Sequence, residues 1–273
     1  MLKTRIITAL ILVAGFIPAL FQSSSIYWAF GMLLVTLLAL HEWASMVGLS
    51  KMQRYGYLLV SALAGLLIIS CMQSEGTHQF FYHSLLVFAV ATFFWVFIVP
   101  IWLAKQFKFN GLVAKGLLGW LLMLPLWLAL ICAKIVNPML LLALLATIWI
   151  ADSAAYFAGK NFGKHKLAPT ISPGKTWEGV AGALIGVTLF GTILYFVFEI
   201  NTLAIFPALW VVTGFGVIGD LFESMMKRQA NIKDSGDLLP GHGGILDRID
   251  GIIPSLPIAF LMIYAYNYFG AMA

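Results

Sequence analysis

Charged residues and glycines crowd into one short segment of this otherwise apolar chain. Residues 224–251 read SMMKRQANIKDSGDLLPGHGGILDRIDG and contain four basic side chains, four aspartates, one histidine and five glycines. A solvated loop does not require that density of charge and glycine. Carboxylates can recruit a divalent metal ion, and basic side chains can neutralise phosphate groups. The composition of this segment therefore predicts a site that holds metal and phosphate.

The helix that leads into this segment adds a polar face. In GDLFESMMKR, four residues fall at positions i, i+3, i+4 and i+7 of a helix and so share one side. They are Asp220, Glu223, Ser224 and Lys227. Mg²⁺ prefers oxygen ligands and usually takes one or two carboxylates together with substrate phosphate. A carboxylate face at the mouth of a helix bundle therefore predicts a Mg²⁺ site.

The run LDRID places Asp247 and Asp250 about one helical turn apart, with Arg248 between them. One interpretation is a solvent-facing helix start in which Asp247 is the N-cap. That interpretation accounts for one aspartate and leaves the neighbouring basic side chains unexplained. We therefore predict a catalytic or binding role for this run, and we expect Gly243 and Gly244 to let the backbone approach a ligand closely.

A second polar segment, residues 151–179, reads ADSAAYFAGKNFGKHKLAPTISPGKTWEG. We expect a helix that carries Asp152 to end near Gly159, with Gly159 and Gly163 permitting a tight turn at positive φ. The run 172–176, SPGKT, lies just before another helix and predicts a turn that cradles phosphate with backbone N–H groups. The P-loop pattern GxxxxGK[ST] is absent. The alternative interpretation is a basic loop that touches anionic lipid headgroups.

Composition places both segments in a membrane protein. Of the 273 residues, 62% are hydrophobic and 10% are charged, with a mean hydropathy of +0.96; a soluble domain carries about a quarter charged residues. Apolar runs long enough to cross the bilayer recur throughout, and helices satisfy their own backbone in lipid. We therefore predict an all-α, polytopic integral membrane protein without a separate soluble domain. The nine candidate spans are 6–21, 26–47, 56–73, 80–104, 112–133, 138–158, 178–200, 204–223 and 251–269.

Basic residues lie almost entirely on one predicted side of the membrane. If the N-terminus is cytoplasmic, fifteen of the sixteen lysines and arginines fall in cytoplasmic segments, and only Lys134 falls outside. Because cytoplasmic loops carry an excess of basic residues, we expect the N-terminus inside and the C-terminus outside. The same placement, in short loops between spans, argues against nucleic acid as a partner despite the net charge of +5. The first span resembles a signal peptide without a convincing cleavage site, so we expect it to be retained.

Acidic residues collect near the cytoplasmic ends of the predicted spans. They are Glu42, Asp152, Glu178, Asp220 and Glu223. Charged groups beside lipid usually face a cavity or a site, so this placement favours a single cytoplasm-facing site. For Glu42, which follows His41, a structural role at a span end is the preferred interpretation and a contact with the site is the alternative.

The two halves of the chain differ in acidity. Residues 1–150 contain two acidic residues, and residues 151–273 contain nine. We therefore expect residues 1–150 to form a transmembrane scaffold and residues 151–273 to form the catalytic transmembrane region, with cytoplasmic loops at 159–176 and 224–250. In this second half, Gly182 and Gly186 form a small-residue packing signal that fits either helix packing within the bundle or a dimer seam.

Mixed charges beside lipid point to phosphoryl or nucleotidyl transfer. These reactions require negative charge to be neutralised at the reacting phosphate and on the leaving group. A site at the membrane surface favours a membrane-resident phospholipid as one substrate and a soluble nucleotide, entering from the cytoplasm, as the other.

The polar segments also resemble a known family. Residues 224–250 are similar to the signature of phosphatidate cytidylyltransferases, also called CDP-diacylglycerol synthases, at every fixed position. The matching run is Ser224-x-Met226-Lys227-Arg228-x4-Lys233-Asp234-x-Gly236-x2-Leu239-Pro240-x-His242-Gly243-Gly244-Ile245-x-Asp247-Arg248-Ile249-Asp250. The upstream segment resembles the family through Asp152–Tyr156, Gly163-Lys164, Ser172-Pro173, Lys175-Thr176 and Glu178-Gly179. The first half of the chain resembles the family only in being hydrophobic with many spans.

The resemblance implies transfer of CMP from CTP to phosphatidic acid in phospholipid biosynthesis, with release of pyrophosphate. It implies a Mg²⁺-dependent, dimeric enzyme of the bacterial inner membrane, with room for a second cation. We assign Asp220 and Asp247 as the leading metal ligands and Asp250, Asp234 and Asp152 as further candidates. The groups assigned to substrate phosphates or to the site around them are Lys164, Ser172, Lys175, Ser224, Lys227, Arg228, Lys233, Gly243, Gly244 and Arg248. His242 is expected to orient a phosphate or to transfer a proton.

Three other activities are considered. A CTP-dependent lipid kinase, such as a polyprenol kinase, would use similar acids but would release CDP. A CDP-alcohol phosphotransferase is disfavoured because the pattern DGxxAR…GxxxD…D is absent. A transporter of anionic solutes would place ionisable groups near the bilayer midplane in repeated halves, whereas here the acids gather at one face.

Overall fold

The computed structural model describes residues 2–74, 76–108, 110–198, 200, 202–241 and 243–270, with the side chains of 2–6, 77, 78 and 267–270 outside that description. Eleven α-helices and one short hairpin are formed within these residues. In chain order they are α1 Leu2–Gln22, α2 Ser25–Met46, α3 Lys51–Ser74, α4 Thr77–Phe93, a π-helical turn Phe94–Ile98, α5 Val99–Lys105, α6 Leu112–Val136, α7 Pro138–Phe162, β1 Lys166–Ala168, β2 Ser172–Thr176, α8 Trp177–Val197, α9 Ile205–Gln229, α10 Leu246–Ile249 and α11 Ile252–Gly270.

The helical membrane architecture predicted from the apolar runs is confirmed. Among the described residues, eight helical segments are long and apolar enough to cross a membrane. The first predicted span, 6–21, falls on α1, whose apolar part is the shorter helix Ile7–Gln22. The predicted fold class therefore stands, and the crossing of α1 stays a prediction.

Helix α6 lies in the centre of the bundle and packs against α2, α4, α7 and α11. Its Trp127 is 1% exposed, and the indole N–H donates to the carbonyl of Ala29 on α2 at 3.1 Å. Trp28 on α2 donates in return to the carbonyl of Leu130 at 3.0 Å. Because a buried indole needs a partner for its N–H, these reciprocal bonds fix α2 against α6. The N-terminal half is thereby tied to the centre of the fold.

Helices α7 and α8 pack closely through small residues. A Cβ added at Gly186 would lie 2.8 Å from the Cβ of Ala154, and one added at Gly182 would collide with Ala158. Close backbone approach through small residues is the usual mode of helix packing in membranes. The small-residue signal of α8 is therefore used inside the chain, against α7, and this decides between the two interpretations left open by the sequence.

The segment between α7 and α8 differs from the predicted turns. Helix α7 continues through Gly159 to Phe162, and Gly163 has a φ of −63°, so neither glycine adopts positive φ and that expectation was wrong. Both glycines instead make room for Thr176, whose Oγ1 would lie 3.1 Å from a Cβ at Gly159. Thr176 needs this space because its hydroxyl caps α8 by accepting from the Gly179 N–H at 3.1 Å.

The run 172–176 forms the extended strand β2 of an antiparallel hairpin with β1 rather than a turn. The predicted cradle of backbone N–H groups is therefore not the geometry of this segment. The hairpin instead carries the side chain of Lys175 towards α9, which it contacts.

Helix α9 runs six residues past the predicted end of its span, to Gln229. The predicted second polar loop of residues 224–250 is consequently shorter, and residues 230–245 form what is called here the α9–α10 loop. Two features favour the longer helix: an ion pair between Glu223 and Lys227 at positions i and i+4, and basic side chains in the last turn, where they interact favourably with the helix dipole.

Candidate active site

Glu42 on α2 binds the α9–α10 loop and the start of α10 from the other half of the chain. Its Oε1 accepts a hydrogen bond from the backbone N–H of Ile245, and its Oε2 accepts from the N–H of Leu246, both at 2.9 Å. The hydroxyl of Ser235 lies 3.1 Å from the same Oε2 and 3.0 Å from Asp247 Oδ2, so its one hydrogen is shared between the two carboxylates. The residue is 3% exposed. A carboxylate in the predicted scaffold therefore contacts the predicted catalytic segment directly.

Asp247, in the first turn of α10, closes the same loop onto itself. Its Oδ2 accepts from the backbone N–H of Ser235 at 2.9 Å and from the N–H of Gly244 at 2.8 Å, and it lies 3.0 Å from the Ser235 hydroxyl that is shared with Glu42. One carboxylate oxygen of Asp247 is thus occupied by the loop. The other, Oδ1, faces Lys227.

Lys227 forms a buried bridge between two carboxylates. Its Nζ lies 2.5 Å from Glu223 Oε2 and 2.6 Å from Asp247 Oδ1, and the three side chains are 13%, 6% and 8% exposed respectively. A buried charge requires a partner of opposite sign, and here one ammonium group serves two carboxylates. This bridge connects the α9 face to the run LDRID.

Asp220 lies about one helical turn before Glu223 on α9 and is more exposed than the three residues of the bridge. Its Oδ2 pairs with Lys175 Nζ of the hairpin at 2.6 Å, and its Oδ1 accepts from the Ser224 hydroxyl at 3.3 Å. The Asp220 side chain is 36% exposed and that of Lys175 is 22% exposed. The second polar segment, through Lys175, therefore meets the polar face of α9 at this ion pair.

Two further aspartates lie close enough to interact electrostatically with Asp220. Asp152 on α7 interacts with Asp220, with Lys175 and with Arg248. Asp250 at the end of α10 interacts with Asp220, Glu223 and Lys175. Three aspartates and two basic side chains from four parts of the chain thus surround one region beside α9.

The remaining predicted residues differ in their exposure. Arg228, Lys233, Asp234 and Arg248 are exposed, as is Lys164 after α7, whereas Ser172 on β2 is half-buried. His242 falls outside the described residues, so its predicted role stays a prediction.

The glycine pair near the end of the α9–α10 loop does approach a carboxylate closely, but the carboxylates belong to the chain. Gly243 has a φ of +80°, a conformation that side chains rarely adopt, and a Cβ there would lie 2.8 Å from Asp247 Oδ2. A Cβ at Gly244 would lie 2.5 Å from Glu42 Oε2. The two glycines therefore allow the backbone to approach the carboxylates of Asp247 and Glu42, and a close approach to a ligand stays a prediction.

Oxygen donors at the site suit a hard divalent cation. Within the part of the chain that the structure describes, no three carboxylate, imidazole or thiol groups converge closely enough to hold a metal ion by themselves. Mg²⁺ seldom needs such a cage, because it keeps several waters and takes one or two carboxylates together with substrate phosphate. The partly open Asp220, with Asp152 and Asp250 in electrostatic range, fits that mode of binding.

Comparison with known proteins covers nearly the whole chain. The profile of the cytidylyltransferase family matches residues 3–266. The chain belongs to this family. Among curated relatives, this cytidylyltransferase-family chain is 36% identical over 280 residues to the phosphatidate cytidylyltransferase of Pseudomonas aeruginosa, covering 98% of this chain and 99% of the relative. It is 34% identical over 294 residues to the enzyme of the same name from Haemophilus influenzae, with the same coverage. The Bacillus subtilis enzyme of that name is 43% identical over 122 residues, 44% of this chain and 45% of the relative.

The family assignment confirms the resemblance drawn from the signature and extends it to the first half of the chain. The sequence predicted no individual role for Glu42, Glu223 or Ser235: Glu223 was placed only on the predicted Mg²⁺ face of the helix, and a site contact of Glu42 was only the alternative interpretation. For Glu42, one signal was present: a carboxylate within an apolar run requires a buried partner, and the side chains around it on α2 offer none with a charge. The partners are backbone N–H groups about 200 residues away, which no local pattern reveals.

Proposed function

We propose that this chain transfers CMP from CTP to phosphatidic acid, producing CDP-diacylglycerol and pyrophosphate. One observation carries the proposal: the chain aligns over 98% of its length with two relatives named phosphatidate cytidylyltransferase. The site supports it, because carboxylates and basic side chains meet at one end of membrane-spanning helices. That placement suits a lipid headgroup and a soluble nucleotide.

The proposed reaction is a single displacement. A phosphate oxygen of phosphatidic acid attacks the α-phosphorus of CTP, a new P–O–P bond forms, and the bond to the β-phosphate oxygen breaks with release of pyrophosphate. No covalent bond to the protein is required. The side chains therefore act by holding the two phosphates in line and by stabilising the charge on the leaving group.

In this proposal, basic residues at the edge of the site bind substrate phosphates. Lys175, held at 2.6 Å from Asp220, is positioned to pass from that carboxylate to a phosphate. The exposed Arg228, Lys233 and Arg248 are able to clamp the triphosphate as it enters. Lys227 acts differently, because it is already held by two carboxylates and stabilises the loop that carries Asp247.

Asp220 is proposed as the main ligand for Mg²⁺. Asp247 would contribute through Oδ1, the oxygen that Lys227 contacts, because Oδ2 is already bonded to the loop. Asp250 and Asp152 are the alternatives, since both interact electrostatically with Asp220, and the exposed Asp234 is a third. When bound, the ion would neutralise charge on the substrate phosphates.

The setting of the enzyme is also part of the proposal. We place the site and the N-terminus on the cytoplasmic side of a bacterial inner membrane, because basic residues concentrate in the segments at that end. We further propose a homodimer. The dimer contact would use surfaces other than the Gly182 and Gly186 face, which is covered by α7.

Release of pyrophosphate tests the proposed function. Purified protein in detergent, supplied with phosphatidic acid, CTP and Mg²⁺, should release pyrophosphate, and omission of phosphatidic acid should abolish the release. ATP in place of CTP is the nucleotide control. Release of CDP instead would support a CTP-dependent lipid kinase and would contradict the proposal.

A further inference from the structure

We infer that Glu42 is a positioning residue for cytidylyl transfer: its buried carboxylate fixes the α9–α10 loop, and turnover depends on it although it lies on a scaffold helix. The inference rests on the proposed function for its kinetic part. Its structural part, the anchoring of the loop, can be tested without any activity.

The carboxylate of Glu42 makes bonds that an amide could not reproduce. Three donors reach its two oxygens: the N–H groups of Ile245 and Leu246 and the hydroxyl of Ser235. An ionised carboxylate only accepts hydrogen bonds, whereas a glutamine presents two donors at one of the two positions. Bonds to a charged acceptor are also stronger than neutral ones. The NH₂ group of a glutamine at this position would therefore face at least one N–H or O–H donor of the loop, and two donors cannot form a hydrogen bond.

The loop is shaped around this carboxylate. A Cβ at Gly236 would lie 2.6 Å from Glu42 Oε1, and a Cβ at Gly244 would lie 2.5 Å from Oε2. Real Cβ atoms do not approach other atoms so closely, so glycine at both positions allows the backbone to close over Glu42. Two of the glycines in the polar segment are thus accounted for by a side chain on α2.

The anchoring extends to the proposed metal ligand through Ser235. The same hydroxyl lies within hydrogen-bonding distance of Glu42 Oε2 and of Asp247 Oδ2, and the N–H of Ser235 also donates to Asp247. Gly244, packed against Glu42, donates to the same Asp247 oxygen. Movement of the loop away from α2 would therefore move Asp247, and a small misplacement of a reacting group lowers the rate of transfer strongly.

The test replaces Glu42 by glutamine and compares it with Thr36→Val. Thr36 is a buried polar residue on the same helix, and its hydroxyl bonds to the carbonyl of Met32 one turn away. Loss of this hydroxyl therefore reports on a change within α2. Hydrogen exchange of peptides covering residues 235–246, measured on folded protein in detergent, should speed up at least tenfold in Glu42→Gln and remain unchanged in Thr36→Val.

Kinetics separates positioning from a merely structural role. We expect kcat per folded molecule to fall at least tenfold in Glu42→Gln, with the KM for CTP changing less than threefold, because the side chain touches no substrate. Glu42→Asp, which keeps the charge with a shorter stem, should recover part of the loss.

Three results would overturn the inference. They are unchanged exchange of the 235–246 peptides, a kcat in Glu42→Gln within twofold of the unaltered protein, or a loss of activity that merely follows the loss of folded protein. If the unaltered protein shows no pyrophosphate release, the proposed function fails, and the exchange measurement still decides whether Glu42 anchors the loop.

Discussion

The ion triad of Glu223, Lys227 and Asp247 allows a quantitative prediction. In Lys227→Met, two carboxylates that are 6% and 8% exposed lose the ammonium group that lies 2.5 and 2.6 Å from them. Removing one partner of a buried ion pair costs about 3 to 5 kcal/mol, because a buried charge is left without compensation. With about 2 to 4 °C per kcal/mol for a chain of this size, a cost of about 3 kcal/mol corresponds to a fall in Tm of about 6 to 12 °C.

Thermal unfolding of the detergent-purified variants provides the assay. The control is Lys233→Met, since Lys233 is exposed and changes at exposed positions stay within about 0.5 kcal/mol. Adding Glu223→Gln to Lys227→Met removes one of the two stranded charges and should restore at least about 1 kcal/mol of the lost stability. A Tm of Lys227→Met within 2 °C of the unaltered protein, or no recovery in the double variant, would refute the buried-bridge interpretation.

Three other predictions concern helix packing, the proposed metal ligands and the membrane orientation. Gly186→Ala should lower the Tm, at a cost of about 1 to 3 kcal/mol from overpacking against Ala154, whereas Gly214→Ala on α9, where a Cβ meets open space, should leave the Tm unchanged or raise it; equal effects in thermal unfolding would argue against the α7–α8 contact. Asp220→Asn should reduce turnover at least a hundredfold with little change in Tm, and Asp247→Asn should reduce both, since its Oδ2 holds the loop; a normal Mg²⁺ titration curve in Asp220→Asn would exclude that residue as the main ligand. Alkaline phosphatase is active only outside the cytoplasm, so a fusion of it at Ala273 should be active. Activity of a cytoplasmic reporter fused at Ala273 instead would contradict the proposed orientation.

Local patterns predicted much of the fold and one face of the site. The apolar runs predicted the long helices, and the spacing of Asp220, Glu223, Ser224 and Lys227 placed them on one side of α9, where Lys227 does bridge to Asp247. Helical periodicity is a property of neighbouring residues, so it is visible in the sequence.

Long-range contacts could not be predicted in the same way. Glu42 contacts residues 193 to 204 positions away, and its partners are mostly backbone groups that no residue type announces. The run SPGKT carried glycine, lysine and threonine in an order typical of a phosphate turn, yet pairing with β1 draws it into a strand. In both cases the structure depends on a partner segment that the residue types of the run itself do not reveal: the α9–α10 loop for Glu42 and β1 for SPGKT.

The fate of the CTP phosphates tests the proposed activity most directly. Protein incubated with phosphatidic acid and CTP labelled at the α-phosphate should transfer the label into the lipid product, and CTP labelled at the γ-phosphate should leave all of its label in soluble pyrophosphate. Label from the γ-phosphate in the lipid, with none from the α-phosphate, would contradict cytidylyl transfer and would identify the activity as a kinase.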